Sequence, residues 1–124
     1  MPDNLNEKVV PFIAVADGDV SVAFYCDDLG FTKEWVYQPN SESPRCVCVT
    51  LGTAKLYLSE SDETAKGIKF VIWVDDIESL LQRCRDRNLD FEFGEQGHFC
   101  TREVRIKDPD DNDILLSERP EDGP

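Results

Sequence analysis

The densest run of chemistry-bearing side chains is "KDPDDNDILLSE", residues 107–118, where Asp108, Asp110, Asp111 and Asp113 crowd together. Oxygen ligands at alternate positions suit calcium, and Asp108, Asp110 and Asn112 fit the first, third and fifth positions of an EF-hand loop. The sixth position then needs glycine and the twelfth glutamate, but the chain has Asp113 and Arg119 there. The flanking residues also read as strands. The stretch is therefore expected to be a turn, opened by Pro109, with Asp or Asn accepting positive φ. The single histidine, His98, stands in "GEQGHFC". No Ser–His–acid set can be assembled around it, and an exposed loop histidine is the expectation. Thiol chemistry stays open, because Cys100 is two residues away and Cys48 can face a cleft. The five cysteines, Cys26, Cys46, Cys48, Cys84 and Cys100, are odd in number, and Cys46-Val-Cys48 is not a C-x-x-C pair. Reduced thiols in a cytoplasmic protein are expected. There is no glycine-rich phosphate loop, and spacing alone assigns no general acid and base pair.

Thirteen basic residues against 26 acidic ones leave a net charge of −13 over 124 residues. Such a surface repels phosphate backbones and anionic lipid, which argues against nucleic-acid and membrane partners, and it attracts cations. No apolar stretch approaches the roughly 20 residues of a membrane span. The opening "MPDNLNEK" is polar, unlike a signal or transit peptide.

The elements that must position these residues come in two sets. "VVPFIAVAD" (9–17) reads as a strand and "DVSVAFYCDDLGF" as a helix capped by Asp19 and closed by Gly30. "TKEWVYQ", "RCVCVTLG" and "AKLYLSE" read as strands. "GIKFVIWVDD" opens a second strand–helix pair, with Ile77, Leu80, Leu81 and Cys84 on one helix face. "DFEFGE", "TREVRIKD" and "DILLSE" complete it. A shift of 58 residues pairs Phe12 with Phe70, Asp17 with Asp75, Ser21 with Ser79, Cys26 with Cys84, and "LSE" at 58–60 with "LSE" at 116–118. A duplicated βαβββ module follows, about 9–60 and about 67–118, in a single α+β domain. "SESPR" (41–45) and "ESDETAKG" (60–67) read as connections. Alternation sets Ile13 and Val15, Leu56 and Leu58, Phe70 and Ile72, and Val104 and Ile106 toward the helices. The opposite face mixes Trp, Tyr, Cys, Arg and Glu, as a ligand cleft does.

"VADGDVSVAFYCDDLGF", with its FY–x–x–x–LGF ending, resembles the first helical segment of the glyoxalase/bleomycin-resistance/dioxygenase (vicinal oxygen chelate) superfamily. "FVIWVDDIESLLQRC" resembles the opening of that family's second module, and "REVRIKDPDDNDILLSE" its closing hairpin. The resemblance implies two βαβββ modules with helices on the outer face of curved mixed sheets. Among members, the bleomycin-resistance proteins are most similar, sharing the length, the acidity and a Val-Pro pair, here Val10-Pro11. That likeness implies a homodimer whose N-terminal strand exchanges between subunits. Metal-using members chelate from concave strands. The resemblance places those positions at Val10 (or Pro11), Tyr57, Lys69 (or Ile68) and Leu115, which supply no ligand set, so no metal and no cofactor are expected. It implies instead the sequestration of a small cationic, aromatic molecule such as a bleomycin-type antibiotic. Trp35 and Trp73 are the candidate stackers, with Tyr57 at the floor beside Cys48, and Glu34, Glu103 and Arg105 supply polar contacts. The alternative is a lyase, isomerase or dioxygenase of the superfamily with an atypical site.

Overall fold

Residues 8–60 and 67–120 are described in the structure, a computed structural model. The first half lays down β1 (Phe12–Val15), α1 (Gly18–Val22) running on into a π-helical stretch (Ala23–Asp28), then β2 (Thr32–Tyr37), β3 (Cys46–Leu51) and β4 (Ala54–Glu60). The second half gives β5 (Lys69–Val74), α2 (Ile77–Asp86), β6 (Phe91–Gly94), β7 (Glu103–Lys107) and β8 (Asp113–Glu118). The sheets are ordered β1-β4-β3-β2 and β5-β8-β7-β6, each with one parallel and two antiparallel pairings. The fold is thus α+β with two modules in one chain, as the sequence pattern implies. The connection expected at 60–67 falls mostly on residues 61–66, outside the described residues. β1 is an edge strand paired with β4 of its own chain, and Pro11, with no N–H to offer, contributes its carbonyl to Tyr57 at 3.0 Å.

The helix start differs from the expected one. Asp17, not Asp19, is the N-cap: its backbone is still extended (φ −136°, ψ 113°), and its carboxylate accepts from the Asp19 and Val20 amides. Asp19 already lies in the first turn, where its charge suits the helix N-terminus. In α2 the cap is Asp76, which accepts from Ser79 N at 3.0 Å. The partner of Asp17 is therefore Asp76 rather than Asp75, one residue beyond the 58-residue shift. Asp75 pairs instead with Arg119. The closing strands do keep the shift, since Leu58 and Leu116 are both fully buried at matching register. Gly30 (φ +90°) ends the first helix as expected, donating to Cys26 O.

One core spans both modules. Ile13, Val15, Val49 and Leu58 pack with Tyr25 and Phe31, and Ile72, Val104, Ile114 and Leu116 with Ile77 and Leu81. At the strand ends an arginine–glutamate clasp is repeated. Arg45 holds Glu60 at 2.7 Å and reaches Asp19 in α1; Arg102 holds Glu118 at 2.7 Å and reaches Glu78 in α2. The acidic turn does more than reverse the chain. Asp108 is buried, and its carboxylate accepts from Tyr25 Oη (2.7 Å), the Asp110 and Asn112 amides (2.8 and 2.9 Å) and Asn112 Nδ2 (2.9 Å). Asp110 accepts from Ala16 N, and Asn112 donates to Ala14 O. These bonds fasten the β7–β8 hairpin to the first module. From the other side, Arg83 of α2 donates to the carbonyls of Asp27 and Asp28.

Candidate functional site

Each sheet has one face against its helix and one open face, and the two open faces carry different chemistry. On the first module, Trp35 of β2, Tyr57 of β4 and Phe12 of β1 form a row. Ring centroids are 5.0 Å apart between Trp35 and Tyr57, nearly edge-to-face, and 5.6 Å apart between Phe12 and Tyr57. A bulge between Lys33 and Trp35 turns the tryptophan onto this face. Glu34 sits at the bulge, accepting weakly from Thr50 Oγ1 at 3.4 Å. Phe12 is 59% exposed, Trp35 41% and Tyr37 62%, although folding normally hides rings of this size. Cys48, between Trp35 and Tyr57 in register, is fully buried, and burial raises its thiol pKa. It offers a ligand no surface, and a protonated thiol is a poor nucleophile.

The second module's open face is ionic. Arg105 pairs with Glu92 at 3.2 Å and Lys107 with Asp113 at 2.9 Å. The Lys107 bond holds the Asp113 carboxyl below the usual carboxylate range. Glu103 is only 4% exposed; it accepts from His98 Nδ1 (3.0 Å), the His98 amide (3.3 Å) and Ser117 Oγ (3.3 Å). His98 is exposed in its loop, as expected, and its ring is held by a buried carboxylate. Gly97 permits this closure, because a Cβ there would stand 2.5 Å from the Glu103 Cβ. Trp73 packs on Phe99 with centroids 4.8 Å apart. A pocket of about 410 Å³ opens over this face, with Leu115 at its floor and Lys69, His98, Arg105 and Lys107 on its walls.

The expected site residues therefore fall into two groups within the chain. Trp35, Tyr57, Cys48 and Glu34 belong to the aromatic face, and Trp73, Glu103 and Arg105 to the ionic one. The two tryptophans do not share a cluster, and Glu103 is occupied by His98 and Ser117. Sequence reasoning passed over Phe12, Tyr37 and Phe99. Phe12 shares the alternation that marked Tyr57, and Tyr37 stands two residues along β2 from Trp35, whereas Phe99 lies in a loop without periodicity. A wider groove, about 1000 Å³, runs from β5 and the start of α2 to the β3–β4 hairpin. Several of its polar side chains are committed elsewhere: Asp76 caps α2, Arg119 holds Asp75, and Arg83 holds the Asp27 and Asp28 carbonyls.

Val10, Tyr57, Lys69 and Leu115 carry no imidazole or carboxylate, so they do not fit a divalent ion. Among the described residues no group of three or more His, Cys, Asp or Glu side chains is arranged to hold a metal. Nor is any helix among them long and apolar enough to cross a membrane.

The model of the family described as "Glyoxalase superfamily protein" matches residues 2–123, and the chain belongs to that superfamily. No curated protein matches it in sequence. Among solved structures it is similar to a bleomycin-binding protein complexed with bleomycin (17% identity, TM-score 0.74, covering 93% of this chain and 100% of that one). It is also similar to TnmS3, an antibiotic binding protein from Streptomyces sp. CB03234 (21% identity, TM-score 0.70, covering 93% and 98%). A superfamily member from Sphaerobacter thermophilus DSM 20745 aligns with TM-score 0.74 at 22% identity, covering 91% and 98%.

Proposed function

We propose that the protein binds and sequesters a small aromatic, cationic molecule without transforming it, as a bleomycin-type antibiotic resistance protein of the cytoplasm. The observation that carries this reading is the row of Phe12, Tyr57 and Trp35 on an open sheet face, with Phe12 and Trp35 exposed and Tyr57 half-buried between them. Such rings stack flat heteroaromatic systems and attract cations to their faces. The net charge of −13 raises the local concentration of cationic molecules around the chain. A homodimer completes the site: a second copy would lay its ionic face, with Trp73, Glu103 and Arg105, opposite the aromatic face of the first. Similarity to a bleomycin-binding protein supports the choice of ligand class.

Titration with bleomycin, followed by tryptophan fluorescence, tests the reading. Saturable quenching at micromolar drug is expected, retained in Trp73→Phe and abolished in Trp35→Ala. No response in the parent protein at 100-fold higher drug would remove bleomycin as the ligand. Quenching that survives Trp35→Ala would place the drug elsewhere than on the aromatic row.

A further inference from the structure

We infer that the pocket on the second module's open face is an oxyanion subsite, taking a carboxylate or phosphate-type group against Lys69, Arg105 and His98. This does not depend on what stacks on the aromatic face. The chain has 13 basic residues and one histidine against 26 acids. Three of those basic residues and that histidine line one pocket of about 410 Å³. The concentration is not inherited from the repeat. Register equates Arg105 and Lys107 with Cys48 and Thr50 of the first module.

The acids of the pocket are Asp90, Glu92 and Asp113. Asp113 is taken by Lys107 at 2.9 Å. Glu92 meets Arg105 at 3.2 Å, with the two side chains 76% and 49% exposed. An exposed pair of this kind contributes little and yields to a better partner. A guanidinium has five N–H donors in a fork that matches an oxyanion, so Arg105 has donors beyond the one on Glu92. Behind it, Glu103 Oε2 lies 3.8 Å from Arg105 Nε, which keeps the guanidinium over the sheet. The same carboxylate takes the Nδ1 proton of His98, so Nε2 donates to an oxyanion only when the ring carries its second proton, and Lys69 and Arg105 are the standing donors of the subsite. Glu103 is itself fastened by Ser117. The buried acid is thus a positioning residue for two ligand-facing groups. Leu115 beneath them is 3% exposed and gives an apolar floor for the carbon attached to the oxyanion.

The single histidine gives one set of imidazole signals in proton NMR, so occupancy can be read at fixed pH and low ionic strength. Inorganic phosphate and acetate are titrated separately, with chloride at matched ionic strength as the reference. A saturable His98 shift is expected with at least one of the two, weakened about tenfold or more in Lys69→Gln and in Arg105→Gln. Circular dichroism checks that both variants are folded, and their exposed positions make that the expectation. Response to acetate alone assigns the subsite to carboxylates, and response to phosphate alone to tetrahedral oxyanions. A shift no larger than chloride's, or one that survives both substitutions, overturns the inference. Bleomycin quenching at Trp35 is read independently, so either reading can fail without the other.

Discussion

The two modules share a topology and a register yet present opposite chemistry. Where the first has Phe12, Trp35, Cys48 and Tyr57 on its open face, the second has Val71, Glu92, Arg105 and Leu115 at the matching positions. On the helix side the pairs are interchangeable: Val47 with Val104, Val49 with Ile106, Leu56 with Ile114, Leu58 with Leu116. Burial constrains one face to apolar residues of similar volume, because each cavity or overpacked methylene costs stability. The open face is free of that constraint and has diverged into an aromatic half and an ionic half. Divergence confined to one face of the repeat is the pattern that the proposed ligand-binding role of the open faces would leave.

The modules also differ in how they are tied together, and the largest expected effect lies there. The first module's β3–β4 hairpin turns simply at Gly52 (φ +60°), whereas its counterpart in the second carries Asp108, whose carboxylate accepts from Tyr25 across the module boundary. Asp108→Ala leaves buried donors without an acceptor. Stability should fall by about 3 kcal/mol, or roughly 10 °C in Tm, by thermal or urea unfolding. A loss below about 1 kcal/mol would mean that the turn is ornamental and the modules are held by the core alone. Tyr25→Phe removes only one of the four bonds and should cost about 1 kcal/mol. Burial and the neighbouring Asp108 charge push the Tyr25 hydroxyl far above its usual range, so that cost should not change between neutral and mildly alkaline pH.

Between these two effects stands the loop over the ionic face. Gly97→Ala puts a Cβ into Glu103, and neither atom can move away without lifting the His98–Phe99 loop. A cost of about 2 kcal/mol is expected, together with a changed His98 imidazole signal as the Glu103 bond is lost. Unaltered His98 spectra in a stable variant would show that the loop does not depend on this close approach.

Much of the comparison was legible in the residues themselves. Alternation placed Tyr57 and Arg105 on open faces and the apolar partners inside, because a strand has only two sides. The repeat was visible from "LSE" at 58–60 and 116–118, and the fold followed from it. The 58-residue shift that fits the closing strands is one short for the opening strand and helix. There Phe12 matches Val71 rather than Phe70 and Asp17 matches Asp76 rather than Asp75, an offset that only register and cap geometry reveal. The carboxylate behind His98 was not legible: Glu103 was read as a polar contact to a ligand, and its close packing depends on a glycine six residues upstream. Nor was the use of Asp108, since the turn chemistry that explained the aspartates accounts for local bonds and says nothing of Tyr25. That Trp35 and Trp73 lie on different sheets' open faces was not legible for a related reason, because period-two patterning gives each sheet a face but not which faces meet.

The smallest expected effect compares the two clasps. Glu60 and Glu118 end equivalent strands and each is gripped by an arginine, but their surroundings differ. Glu60 is pulled down to about 2, chiefly by the Arg45 guanidinium, with the Arg45 and Gly18 amides adding to it. Glu118 is lowered by the Arg102 guanidinium, also its largest cause, but it lies at a more open site, with a side chain 29% exposed against 19% for Glu60. A carboxylate whose folded pKa lies below its unfolded value binds protons more readily in the unfolded chain. Its contribution is therefore complete above about pH 4.5 and is lost as pH falls toward 2. Urea unfolding between pH 5 and 2.5 should show Glu60→Gln with a shallower acid limb than the parent, while Glu118→Gln tracks the parent more closely. Equal flattening in both variants would make the clasps alike and leave the open faces as the real difference between the modules. The amide of Gly18 is what should separate them. It belongs to a helix N-terminus, where partial positive charge favours a carboxylate that cannot swing out into water.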